Sequence, residues 1–277
     1  MGFPAVSYLP AELPACLRRF VASVVAYDVR IGESGSYVGL PSTTLTLQLA
    51  SGAPLRVGWV SQPEESRALW GILAGLHTRP ARVVHDGRMA GVEIALTIDG
   101  ARTLFGVRAS ELADSIVDPG EVSPAFELLV ERVALAATPR QRLDLAVRGL
   151  LAALEPEAAS PGRPEVGYAL ARLTRGARVD EIATETGLSR RHLAGLVKAE
   201  CGLTPKRYRG VARFERAYRT MLERAAHGGR PALAAIAAQA GYADQAHMTN
   251  EWRQMAGTTP SAWLRTEFPL IQDTQGA

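Results

Sequence analysis

Cysteine is scarce. The 277 residues hold only Cys16 and Cys201, too few and too far apart for a cysteine-based zinc cluster or a multi-bridge framework, so two reduced thiols are expected. Long apolar runs are also missing. The longest stretch without a charge, Ser34 to Leu55, is filled with Ser, Thr, Gly and Pro, and nothing supplies the ~20 apolar residues of a membrane span. The opening Met1-Gly2-Phe3-Pro4 has no basic segment ahead of an apolar stretch, unlike a secretory signal; a cytoplasmic protein without membrane contact is expected. Lysine is nearly absent, with only Lys198 and Lys206, so arginine carries almost all the positive charge.

What is present excludes a disordered or fibrous chain: 47% of residues are hydrophobic and 21% charged, enough for a real core. At about 150 residues per domain, the length argues for two domains. The net charge of +3 conceals a division. Residues 1–163 carry 15 basic against 17 acidic side chains, whereas residues 164–268 carry 16 against 10. A basic C-terminal third beside a slightly acidic remainder points to a polyanionic partner.

The seam is Glu155-Pro156-Glu157-Ala158-Ala159-Ser160-Pro161-Gly162-Arg163-Pro164, whose prolines and glycine neither continue a helix nor join a central strand. The expected division is a domain over 1–154, a linker over 155–164, a second domain over 165–268 and a tail over 269–277. Within the first, runs such as Val24–Val29, Thr44–Leu49, Arg56–Val60 and Val92–Ile98 alternate with Gly, Pro and Asp-Gly turns, predicting short strands in a sandwich or small barrel. From Ser123 to Leu154 the pattern becomes helical, carried by Phe126, Leu129, Val130 and Val133, then Leu143, Val147, Leu150 and Leu154. Pro139 starts the second helix after Thr138, a natural N-cap. This pair fits an αα-hairpin packed on the sheet or a dimer surface. The expected fold class is α+β, with a β-rich sensor-like domain carrying a helical hairpin and an all-α domain after the linker.

That second domain contains an internal repeat. Ile182-Ala183 followed by Gly187-Leu188 recurs as Ile236-Ala237 followed by Gly241-Tyr242. Ser189, Leu193, Val197, Lys198, Gly202, Thr204 and Pro205 recur, after one inserted residue, as Asp244, Met248, Trp252, Arg253, Gly257, Thr259 and Pro260. The insertion, Ala243, falls in a turn, where it preserves both hydrophobic faces. Each copy reads as a helix-turn-helix. Gly187 ends the first helix where a left-handed backbone suits a residue without Cβ, and Ser189 or Asp244 caps the second. Ordinary helical packing reproduces part of this pattern in one copy, but not the matched caps, glycines and stripes of two.

Residues 179–265 resemble the DNA-binding domain of the AraC/XylS family of bacterial transcription regulators. The likeness lies in Ile182–Leu193, Gly241–His247 and the closing segments Gly202–Arg209 and Gly257–Leu264. Leu104–Leu112 is similar to part of a variable sensor domain in one AraC-like subgroup. The resemblance implies two helix-turn-helix units joined by a long helix. It also implies base-edge contacts at Arg191, Ala194 and Gly195 in the first unit, and at Gln245, Ala246, Thr249 and Asn250 in the second. Arg191 suits guanine, while Gln245 and Asn250 suit adenine. Ala194 and Gly195 depart from the longer polar residues common in the family and leave the first unit little beyond one guanine and a thymine methyl.

Lys206 to about Ala226 runs without Pro or Gly except Gly210. About 20 residues at ~1.5 Å each span ~30 Å, close to the ~34 Å between successive major-groove segments. Arg190, Lys198, Lys206, Arg207, Arg209 and Arg253 are the candidate phosphate contacts. Arg213, Arg216 and Arg219 lie on the same helix; a solvated charged face is the default for any one of them, and pairing of Arg213 or Arg216 with Glu215 or Glu223 is an alternative to phosphate contact. The implied partners are double-stranded promoter DNA, RNA polymerase, a small-molecule effector and a second copy of the chain.

Other chemistry is thin. His77, His85, His192, His227 and His247 lack metal-ligand spacing with carboxylates, and His192 and His247, at equivalent repeat positions, are expected to pack or cap. No cofactor, metal or catalytic group is expected, and the effector site is unassigned. Trp59 and Trp70 fit core packing better than effector stacking. Two other classes stay open: an enzyme-like N-terminal domain tethered to a DNA-binding module, which converging acid, base and nucleophile in a pocket would favour, and an interaction protein whose helix pairs bind protein.

Overall fold

Alternation of buried and exposed residues along the strands, with glycine where the chain reverses, builds the N-terminal half. A computed structural model describes residues 6–154, 162–226 and 232–266. The strands are β1 (Val6–Pro10), β2 (Val21–Arg30), β3 (Gly35–Gly39), β4 (Leu45–Ala50), β5 (Leu55–Trp59), β6 (Arg67–Leu69), β7 (Gly71–Ala74), β8 (Ala81–His85), β9 (Arg88–Leu96) and β10 (Ile116–Val117). They form two sheets, in the orders β1-β2-β9-β4-β7-β10 and β3-β8-β5-β6. The Asp86-Gly87 turn is as expected. Gly87 adopts φ 101°, and its N–H donates to His85 Nδ1 at 3.2 Å.

The expected strand over Val92–Ile98 ends early, at Leu96. Thr97 instead caps α1 (Ile98–Phe105), its Oγ1 accepting from the Gly100 N–H at 3.1 Å. A short α2 (Pro119–Val122) leads into the hairpin α3 (Pro124–Ala134) and α4 (Pro139–Ala152). Thr138 caps α4 and Gln141 reaches back to the Thr138 N–H, a capping box that satisfies two orphan donors. The hairpin lies on one face of the larger sheet: Phe126, Leu129, Val133 and Leu150 share a core with Val24, Leu47 and Ile94, each large side chain contributing ~1.5–3 kcal/mol by burial. The apolar stripe of α4 also contains a charge. Arg142, 2% exposed, binds the Tyr27 carbonyl and the Asp28 carboxylate.

The remaining helices are α5 (Pro164–Thr174), α6 (Val179–Thr186), α7 (Arg190–Cys201), α8 (Pro205–Ala226), α9 (Leu233–Ala240), α10 (Gln245–Ala256) and α11 (Pro260–Thr266). Proline opens α3, α4, α5, α8 and α11, the position where a missing N–H is harmless. One continuous hydrophobic cluster runs from Leu17 in the sheet half to Trp263 in α11, so the two halves share packing. Most of the expected linker, residues 155–161, lies outside the described residues, as do His227 and the expected tail 269–277.

Candidate nucleic-acid interface

The helices of the two copies are equal in length, and only the turn between them differs, by one residue. α6 and α9 each have 8 residues, α7 and α10 each have 12. Ile182, Ala183, Ile236 and Ala237 are buried. Gly187 and Gly241 end the first helices at φ 67° and 86°, and Gly202 and Gly257 end the second at φ 79° and 71°. Ser189 accepts from the His192 N–H at 3.2 Å and Asp244 from the His247 N–H at 2.7 Å. Thr204 and Thr259 cap the helices that follow. Each cap sets the start of α7 or α10, and the buried stripes Leu193–Val197 and Met248–Trp252 fix which face remains outside.

On α7 that outer face carries Arg190, Arg191, Gly195 and Lys198, all exposed, with Ala194 half-buried beside them. On α10 it carries Gln245, Ala246, Asn250 and Arg253, exposed, with Thr249 half-buried and its hydroxyl donating to the Gln245 carbonyl at 2.8 Å. Lys206 and Arg207 are exposed at the start of α8, and Arg209 is half-buried. Two of the basic side chains already have local partners. Arg190 pairs with Asp180 at 3.1 Å, and Arg253 donates to Asn250 Oδ1 at 3.1 Å. The Arg253 contact draws the Asn250 side chain toward its own helix.

The expected pairing along α8 is different in detail. Arg213 joins Glu251 of α10 and lies over the Tyr242 ring, 4.5 Å from its centroid. Arg216 donates to the Ala240 and Thr174 carbonyls, and it is Arg219 that pairs with Glu215. Arg213 and Arg216 thus join α8 to neighbouring helices instead of pairing along it. His247 packs edge-on against Tyr242, 5.3 Å between centroids. His192 is exposed, contrary to the expectation of packing, and only its main-chain N–H is engaged by the cap. Cys201 is buried, donates to the Leu203 carbonyl at 3.4 Å, and burial pushes its thiol up to about 11, which keeps it protonated.

Several contacts to the sheet half had no local sequence signal. Arg102 of α1 binds Glu200 of α7 at 2.7 and 2.8 Å. Ser110, within the segment Leu104–Leu112, donates to the Ala199 carbonyl at 2.7 Å. Thr43, before β4, donates through its hydroxyl and main-chain N–H to Glu215 of α8 at 2.7 and 3.1 Å. Trp59 is buried, with the Arg79 guanidinium 4.1 Å from its ring centroid, whereas Trp70 is exposed. Among the described residues no group of three or more His, Cys, Asp or Glu is placed to hold a metal ion, and no helix is long and apolar enough to cross a membrane.

Comparison with known proteins agrees with this geometry. A family model described as "Helix-turn-helix domain" matches residues 182–266. ToxT from Vibrio cholerae O395 aligns over 92% of this chain and 99% of its own at 12% identity, with a TM-score of 0.50. Unsaturated fatty acid bound ToxT from Vibrio cholerae strain SCE256 aligns over 92% and 96% at 11% identity, again with a TM-score of 0.50. The DNA-binding domain of AdpA in complex with a target DNA covers 38% of this chain and 93% of its own at 22% identity, with a TM-score of 0.32. No curated protein matches. The tandem capped helix pairs lie within the matched helix-turn-helix domain. The chain shares the fold of ToxT through both halves.

Proposed function

We propose that the exposed faces of α7 and α10 enter successive major-groove segments of promoter DNA. Arg191, Ala194 and Gly195, and Gln245, Ala246, Thr249 and Asn250, then meet base edges, while Arg190, Lys198, Lys206, Arg207, Arg209 and Arg253 meet phosphates. The observation that carries this reading is the matched pair of outward faces, each set by a side-chain N-cap, on either side of the 22-residue helix α8. At ~1.5 Å per residue that helix spans ~33 Å, near one DNA turn. In this reading residues 165–268 bind DNA and residues 1–154 regulate. The regulatory half senses a small molecule or mediates dimerisation, RNA polymerase is the partner in activation, and neither half is an enzyme. Contacts from the sheet half to α7 and α8, through Arg102, Ser110 and Thr43, favour control of the reading helices by that half.

Selection of bound fragments from genomic DNA, followed by affinity measurements on the full chain, tests the proposal. Arg191→Ala and Gln245→Ala are expected to remove ~1–3 kcal/mol of discrimination at their own base positions. Lys206→Ala and Arg207→Ala are expected to weaken all sequences alike. Absence of sequence preference at every salt concentration overturns it.

A further inference from the structure

Glu93 stands in the middle of β9, flanked by Val25 of β2 and Gln48 of β4. Cross-strand partners share a face, as do residues two apart. Tyr27, paired with Gly91, and Tyr8, paired with Tyr27, therefore lie on the same face as Glu93. So does Ile72, opposite Gln48, and Ile72 packs with Leu55, Val57 and Val83 of the second sheet. Glu93 thus points into the space between the sheets. Tyr37 of β3 closes over this space, its hydroxyl 3.3 Å from Gln48 Oε1, while Gln48 Nε2 donates to Tyr27 at 2.7 Å. Despite this central position, Glu93 is exposed to solvent, and Tyr8, Val25 and Tyr37 are half-buried. The space between the sheets is therefore open to water at Glu93.

A carboxylate partly stripped of water by neighbouring rings gains when a cation meets it. Glu93 has no ion pair or hydrogen bond with any other described residue. Although water reaches Glu93, the protein packed around it removes enough hydration to hold its carboxyl above the usual range; burial first, and the Glu93 charge after it, raise Tyr8 to about 12 and push Tyr37 and Tyr27 upward as well. The tyrosines therefore remain neutral, offering hydroxyls and ring faces. One negative group among electron-rich rings is the arrangement that attracts an organic ammonium ion, through charge and through the ring quadrupoles together.

We infer that this space is the effector site and takes a small organic cation, its ammonium group against Glu93 and its carbon skeleton against Tyr8, Tyr27 and Tyr37. The inference rests on the reading of the sheet half as a sensor. It is tested by titrating the full chain with phenethylamine, choline and putrescine, with phenethyl alcohol and sodium decanoate as neutral and anionic controls. Calorimetry reports binding, and the affinity for a selected DNA fragment reports coupling. At least one amine should bind saturably, phenethylamine at least about tenfold more tightly than its alcohol, and Glu93→Gln should remove that preference. Val25→Lys, which supplies an internal cation beside Glu93, should block the amines even if Glu93→Gln fails to fold. The inference is overturned if no amine binds, if the alcohol or decanoate binds better, or if both variants bind amines as the native chain does. Decanoate or alcohol binding that alters DNA affinity would keep the sensor reading and discard the cation. Amine binding that leaves DNA affinity unchanged would keep the cation site and discard the sensor reading.

Discussion

The Arg102 guanidinium holds both carboxylate oxygens of Glu200, at 2.7 and 2.8 Å, so a helix of the sheet half grips the C-terminal end of α7. Both side chains are largely shielded, 23% and 13% exposed, which weakens solvent screening without removing it. Arg102→Ala and Glu200→Gln should each lower stability by ~1.5–3 kcal/mol, the range for hydrogen bonds to charged groups. The double variant should lose little more than either single one. Chemical denaturation of the four proteins measures the coupling; full additivity would mean that the pair is not formed in solution.

Gly202, at the end of α7, is constrained twice. Its φ is 79°, and a Cβ placed there falls 2.2 Å from the Ala113 Cβ. Gly187 shares the left-handed conformation, but a Cβ there meets nothing within 4 Å. Gly187→Ala should therefore cost only the backbone strain, ~1–2 kcal/mol. Gly202→Ala should add ~1–3 kcal/mol of overpacking. Adding Ala113→Gly should recover the difference and leave the strain. Equal losses in the two alanine variants would show that this helix end does not press on Ala113.

The helical half was legible because its signals are local. Ser189 and Asp244 cap, Gly187 and Gly241 terminate, and the stripes between them repeat, all within a few residues. The outward-facing side chains of α7 and α10 could be located for the same reason. The sheet half was legible only in its long strands. β6 has three residues, Arg67–Leu69, and β3 begins and ends in glycine, so neither shows a usable alternation. The apolar run through Ile98 concealed a helix start at Thr97, where one hydroxyl decides the matter. Arg102 with Glu200, and Thr43 with Glu215, are 98 and 172 positions apart. Pairing at such distances leaves no trace in a local pattern.

Asp28 accepts from Arg88 at 3.1 and 2.8 Å and from buried Arg142 at 3.3 Å. The Arg88 hydrogen bond, ahead of the Arg142 charge, holds its carboxyl below the usual range. Asp28→Asn leaves Arg142 without its counter-ion and should cost ~3–5 kcal/mol. Because the folded carboxyl binds its proton more weakly than the unfolded one, the stabilisation is fully present above about pH 4 and lost as pH falls below it. Unfolding of the native chain and the variant across acidic pH should converge toward low pH. Parallel curves would exclude Asp28 as the source.

Asp180 sits in the first turn of α6 between two arginines, 3.1 Å from Arg190 and 3.7 Å from Arg178. These side chains are half or more exposed, so the pairs contribute at most ~1 kcal/mol to stability. Their effect on DNA binding should be larger in kind. Asp180 occupies the guanidinium proposed to meet a phosphate and places a negative charge beside the duplex. Asp180→Asn removes that charge and releases Arg190. Affinity should rise on every sequence alike, and log Kobs should fall more steeply with log salt, by up to ~0.9 for one added phosphate contact. Arg190→Ala should do the reverse, and combining the two should return the slope to that of Arg190→Ala alone. If Asp180→Asn tightens binding while the double variant retains the gain, the carboxylate acts only through repulsion and Arg190 does not reach the backbone. A gain confined to one sequence would instead move Arg190 from phosphate contact to base recognition.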